Sequence, residues 1–155
     1  MKIAVNTRLL LKDKLEGIGW VAYECLRRIV KSHPDVEFYF IFDRKYDEKF
    51  IFADNVKPVV LFPPARHPFL NIAYFEFAVT RLLRKLKPDL YLSTDAYLSL
   101  RSNTKQLAVF HDINFEHFPQ DFPKIHLWHY KKFFPKYAKK ATRILTVSEF
   151  SKKDI

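Results

Sequence analysis

Short apolar runs separated by longer amphipathic stretches recur along the whole chain, and this alternation constrains the fold more than any other feature. Parallel strands need a crossover between them, usually a helix, so the alternation predicts a single parallel α/β sheet with flanking helices. Strands are expected at Lys2 to Val5, Val36 to Phe42, Val59 to Phe62, Leu90 to Leu92, Gln106 to Phe110 and Arg143 to Val147. Between them, Ile18 to Val30 sets Val21, Ala22, Cys25, Leu26 and Ile29 at helical spacing, with Arg27, Arg28 and Lys31 near its C-terminal end, where they suit the macrodipole. Phe69 to Lys85 carries one apolar seam of Ile72, Phe75, Val79, Leu82, Leu83 and Leu86, and Pro88 marks its end. Ile125 to Ala138 is a third helix, with Pro135 as a kink point. Ser148 reads as the N-cap of a further short helix at the very end, so the chain is expected to be the N-terminal piece of a longer protein.

A chain of 155 residues with 48% hydrophobic content, 16 Phe and 8 Tyr can bury one core and is not disordered. The single cysteine, Cys25, excludes a disulfide scaffold and fits a reducing compartment. No secretory leader pattern opens the chain, and no stretch reaches the ~20 apolar residues of a membrane span. A cytoplasmic location follows as the expectation. The net charge of +10 points to an anionic partner, whether nucleic acid, lipid surface or phosphorylated ligand.

Polar residues gather where strands end, the edge at which open α/β sheets bind ligands. Ser93, Thr94 and Asp95 follow the fourth strand, His111 and Asp112 the fifth, Ser148 and Glu149 the sixth. The last two pairs have a purely structural alternative, Asp112 and Ser148 as caps and Glu149 as a first-turn acid. His117, His126 and His129 form no ligand set, and the last two read as amphipathic surface; no metal site is expected. Gly17-Ile18-Gly19-Trp20-Val21-Ala22 fits the dinucleotide pattern G-x-G-x-x-A, with Asp43 where a ribose-binding acid belongs. However, Asn6 to Glu16 intervene between strand and glycine, which spoils the tight turn of a nicotinamide site. What survives is a glycine-containing helix start offering N–H groups to phosphate, with a permissive turn at positive φ as the alternative. Lys124 to Arg143 holds seven Lys or Arg and no acid among five aromatic residues, and a second face combines Tyr74, Phe77, Arg81 and Arg84 with Lys85. Such surfaces, Lys131 and Lys132 included, suit solvent or an anionic bilayer, while no specific nucleic-acid motif accompanies them.

The segments Ile3-Ala4-Val5-Asn6 with Arg8, Gly17-Ile18-Gly19, Lys87-Pro88-Asp89-Leu90, Val109-Phe110-His111-Asp112-Ile113 and Thr142-Arg143-Ile144-Leu145-Thr146-Val147-Ser148-Glu149-Phe150-Ser151 together resemble the N-terminal half of a retaining glycosyltransferase of family 4. The resemblance implies the GT-B architecture, two Rossmann-like domains facing across a cleft, with residues 1–155 as the acceptor-side domain. It implies a nucleotide-sugar donor as substrate, a glycan or lipid-linked acceptor, no resident cofactor, and a C-terminal donor domain absent from this chain. By the same resemblance His111 lies beside the transferred sugar with Asp112 positioning it or the acceptor; Gly17 and Gly19 approach the diphosphate, and Ser148 and Glu149 border the cleft. Acceptor contacts come from Asn6, Arg8, Thr94 and Asp95. The competing expectation is a non-catalytic basic module that binds anionic lipid or nucleic acid.

Overall fold

The computed structural model describes all of residues 1–155. Strands β1 (Lys2–Asn6), β2 (Glu37–Phe42), β3 (Val56–Val60), β4 (Leu90–Ser93), β5 (Gln106–Phe110) and β6 (Arg143–Thr146) form one sheet in the order β3-β2-β1-β4-β5-β6. Every pairing is parallel, as the alternation of elements requires. This is the Rossmann-like order, and its direction reverses between β1 and β4, which opens a crevice at the carboxyl ends of those strands.

Helix α1 (Gly17–Ser32) covers one face of the sheet. Its Ala22, Leu26 and Val30 pack on Val5, Phe38, Phe40 and Phe42, all nearly solvent-free. The other face is covered by α2 (Pro68–Ala73), α3 (Thr80–Leu86), the stretch Tyr74–Val79 that joins them, and α5 (Lys124–Lys140); from these, Phe75, Val79, Leu83, Phe133 and Tyr137 meet Ala4, Ile41, Tyr91, Ala108 and Phe110. Two short helices, α4 (Asn114–His117) and α6 (Glu149–Asp154), follow β5 and β6. No helix is long and apolar enough to cross a membrane.

Three expectations need correction. The third strand runs Val56–Val60 instead of Val59 to Phe62, with Pro58 inside it. β3 is an edge strand, where a residue without an N–H is tolerated because one side needs no ladder bond. The helix expected from Phe69 is a continuous path interrupted by a π-helical stretch, Tyr74–Val79, between α2 and α3. The wider turn upsets the simple helical register, so Tyr74 is fully buried while Phe77 is exposed, and the two do not share a face. Just past this stretch, Thr80 Oγ1 donates back to the Phe75 carbonyl at 3.0 Å, and the Thr80 and Ser99 hydroxyls lie 2.5 Å apart. The sixth strand ends at Thr146, one residue early, because Thr146 Oγ1 turns to the Ser148 carbonyl.

Candidate functional site

The carboxyl ends of β1 and β4 are joined by buried polar side chains. Asn6 Nδ2 donates to Asp95 Oδ1 at 2.6 Å, and Ser93 Oγ donates to the same oxygen at 3.1 Å. The other carboxylate oxygen takes the Arg8 Nε–H at 2.6 Å. Thr94 Oγ1 closes the set by donating to the Asn6 carbonyl. The Asp95 side chain is 3% exposed, so its charge depends on these partners. Burial by itself would depress the Arg8 guanidinium, but the ion pair and hydrogen bond with Asp95 reverse this and hold it firmly charged. Arg8 also lies 4.4 Å over the Tyr97 ring, a cation–π contact that fixes its plane. Between Asp95 and Tyr97 the chain turns through Ala96 at φ 69°, a left-handed conformation that costs an alanine about 1–2 kcal/mol. Such strain, set among buried hydrogen bonds, is typical of sites where side chains are aimed.

His111 extends β5 to the same crevice. Its Nε2 lies 2.9 Å from the Thr94 carbonyl; a carbonyl only accepts, so Nε2 carries the proton and Nδ1 is the ring nitrogen left for other chemistry. Arg8, Asp95, Tyr97, His111 and Asp112 line a cavity of about 330 Å³, closed by Ile18 of α1 and by Phe115 and Phe122. The site therefore combines one ion pair, one histidine and an apolar wall.

The remaining expected residues divide between scaffold and rim. Asn6 and Thr94 are 1% and 6% exposed and hold Asp95 and the strand ends from behind. Asp112 Oδ1 accepts from the Asn114 N–H at 3.0 Å, the capping geometry at the start of α4. Ser148 caps α6 through the Ser151 N–H, and Glu149 projects into solvent beside Lys152. Ser151, unremarked in the sequence, donates to the His111 carbonyl at 3.0 Å and so ties α6 to the site. Both glycines sit in the first turn of α1, and neither has positive φ, so the permissive-turn alternative fails. Gly19 is needed for a different reason: a Cβ there would lie 2.9 Å from the Leu9 carbonyl oxygen, whereas Gly17 has open space. Asp43 is fully buried, its oxygens taken by Arg44 at 2.6 and 2.7 Å and by the Ala65 N–H at 2.9 Å, which leaves no free acid for a ribose.

His129 is the clearest correction. The residue expected on an amphipathic surface is 1% exposed, stacked on Phe133 at 4.7 Å and on Tyr97 at 5.8 Å. Burial, with His126 and Arg8 adding to it, lowers its pKa to about 4, so the ring is neutral. The reason is that α5 turns the His129, Phe133 and Tyr137 stripe inward, while Lys131, Lys132 and Lys136 face out. Of the expected basic surface, Arg81, Arg84 and Lys85 are exposed on α3 and Lys131 and Lys132 on α5. Lys131 lies 3.6 Å from Glu116, and Lys132 stands 4.9 Å over the Trp128 ring. No three histidine, cysteine or acidic side chains converge as a metal-binding group.

Comparison with known proteins fits this architecture. The pattern of Glycosyltransferase Family 4 matches residues 15–155. The fold is similar to that of a solved structure described as the lipopolysaccharide outer core galactosyltransferase WaaB in its apo form, with a TM-score of 0.60 at 15% identity. That likeness, one of fold, covers 99% of this chain and 41% of the other. No curated protein matches the sequence.

Proposed function

This chain belongs to Glycosyltransferase Family 4, and on that premise we propose that the His111 cavity is the acceptor-side half of a glycosyl-transfer site. In this reading a sugar passes with retention from a nucleotide-sugar to a hydroxyl of a glycan or lipid-linked acceptor. The observation that carries it is the convergence of His111 with the Arg8–Asp95 pair at the crevice where the strand order reverses. Family membership favours transfer over a non-catalytic basic module. The bond from the anomeric carbon to the diphosphate oxygen breaks, the bond to the acceptor oxygen forms, and the hydroxyl proton leaves with the departing phosphate.

Such a step needs stabilisation of the cationic sugar and the leaving group more than a strong protein nucleophile. His111, held by its Nε2–H on the Thr94 carbonyl, offers the other ring edge to the sugar or acceptor hydroxyl. Arg8, kept charged and oriented by Asp95, Asn6 and Tyr97, binds the acceptor from the opposite wall. The start of α1, with Gly17, Ile18 and Gly19, contributes N–H groups toward the diphosphate, and Ile18 already borders the cavity. Asp112 lines the cavity, and Ser148 and Glu149 stand at the start of α6, which Ser151 ties to the His111 carbonyl at the edge of the cleft. The reading needs no metal or resident cofactor. The donor would be held mainly by a second α/β domain of the same polypeptide, so the 155 residues alone are expected to transfer no sugar.

The test is sugar transfer by the full-length polypeptide across a panel of nucleotide-sugars, comparing wild type with His111→Ala. Loss of a positioned polar group beside the reacting centre is expected to lower kcat about 100-fold or more; a change within about twofold would overturn the role of His111. The exposed Arg81, Arg84, Lys85, Lys131 and Lys132, with Phe69 and Trp128 in ring contact at 5.9 Å, support peripheral attachment at an anionic inner membrane face. Co-sedimentation with anionic vesicles should fall steeply as salt rises, and absence of binding at low salt removes this part of the reading.

A further inference from the structure

Arg8, Tyr97 and Tyr130 line not only the His111 cavity but also a second cavity of about 300 Å³. Its walls differ sharply from those of the first. They carry Arg44, Arg66, His67, Asn71, His126 and His129, drawn from the loops after β2 and β3 and from α2 and α5. Charge can be assigned group by group. Arg8 is matched by Asp95 and Arg44 by Asp43, whereas Arg66 stands exposed without an acidic partner. The guanidinium groups thus leave one positive charge uncompensated at the rim.

Deeper in, two buried polar atoms have no hydrogen-bond partner: Asn71 Oδ1, in a residue 4% exposed, and His129 Nε2, in a residue 1% exposed. Groups of this kind are costly to bury unpaired, and the residues that carry them, Asn71 and His129, both line the same cavity. An apolar occupant would leave them unsatisfied, and a bare anion would leave the Asn71 acceptor oxygen without a donor. What satisfies the whole set is a hydroxyl-bearing molecule that also carries an oxyanion.

We propose that this second cavity binds the anionic end of the acceptor, a sugar or polyol bearing a phosphate or carboxylate, with the oxyanion on Arg66, Arg44 and His126 and a hydroxyl on Asn71 and His129. The inference rests on the transfer reading, since Arg8, Tyr97 and Tyr130 line both cavities and so set this charged end next to the cavity in which the reacting hydroxyl meets His111. It narrows the acceptor class, because a neutral glycan would leave the Arg66 rim unanswered.

The test is calorimetric titration of the full-length polypeptide with a hexose 6-phosphate, a hexuronate, the unmodified hexose and inorganic phosphate, alongside transfer assays with the same sugars as acceptors. At least one anionic sugar is expected to bind about tenfold or more tighter than the neutral hexose, and to exceed inorganic phosphate because of its hydroxyls. Whether phosphate or carboxylate wins identifies the charged group. Arg66→Gln, at an exposed side chain with no ion pair to lose, should abolish most of the preference; Arg27→Gln, on α1 across the sheet, should not. Equal binding of neutral and anionic sugars, or equal weakening by Arg27→Gln and Arg66→Gln, overturns the site. Transfer without preference for anionic acceptors overturns it while sparing the transfer reading. Arg66-dependent binding in a polypeptide that transfers no sugar from any donor keeps the site and sinks that reading.

Discussion

The two faces of this one sheet are built to different rules. Under α1 the buried core is Val, Leu, Ala and Phe, with no buried tyrosine or histidine. Across the sheet, under α2, α3 and α5, it contains Tyr74, Tyr91, Tyr97 and Tyr137, with His129 and Glu76 buried nearby. Of the five buried side-chain atoms without a hydrogen-bond partner, Asn71 Oδ1, Tyr74 Oη, Tyr91 Oη and His129 Nε2 all lie on this second face. Burial raises the Tyr74 and Tyr91 hydroxyls well above their ordinary range, and it raises the Glu76 carboxyl above its own against the pull of the Leu100 N–H and Arg101. The first face supplies stability at little polar cost. The second accepts unsatisfied polar groups, and it is the face on which Arg8, Asp95 and the cationic cavity lie.

The largest effect that should distinguish the faces is a truncation on the apolar side. Phe40 is fully buried among Phe38, Phe42 and Phe50, and Phe40→Ala should cost about 3–5 kcal/mol in urea-induced unfolding. A cost under about 1 kcal/mol would mean that this face is not the close-packed one.

A pH effect belongs to the polar face. His129 titrates near 6.5 when unfolded and near 4 in the fold, so between those values the unfolded chain binds a proton that the folded one refuses. Stability is therefore whole above about pH 6.5 and falls as pH drops toward 4, by an amount on the order of 3 kcal/mol. His129→Phe, keeping the stack on Phe133 and Tyr97, should flatten the acid limb of stability measured against pH. An unchanged slope would place its origin elsewhere.

The smallest effect has the opposite sign from ordinary core damage. Tyr91→Phe removes a hydroxyl that has no partner, and the variant should be as stable as wild type or up to ~1 kcal/mol more so. Thermal unfolding that drops by several degrees would show that the hydroxyl is bonded, through water, after all.

Much of this organisation was legible in the residues themselves. Val36 to Phe42 announces a strand through its β-branched and aromatic density, Gln106 to Phe110 reads as another apolar run, and Arg8, Asp95 and His111 fall at strand ends, where the crevice forms. The helix register beyond Tyr74 was not legible, because a π-helical stretch depends on how Thr80 and Ser99 meet across the fold. Nor was the edge position of β3, which is what makes Pro58 acceptable. His129 looked like surface since periodicity measures spacing along a helix and not which stripe the neighbours cover. Arg44, Arg66 and Asn71 carried no motif at all; they lie in separate segments that meet only in three dimensions.

Sequence alone thus determined the parallel α/β layer, the strand-end row of polar residues and the family to which they point, because these depend on local periodicity and on residues adjacent along the chain. Tertiary structure alone decided which of those residues are scaffold and which face a cavity. It also created the cationic pocket, because the pairing of Arg8 with Asp95 and Arg44 with Asp43, and the solitude of Arg66, are facts about distance through space that no spacing along the chain encodes.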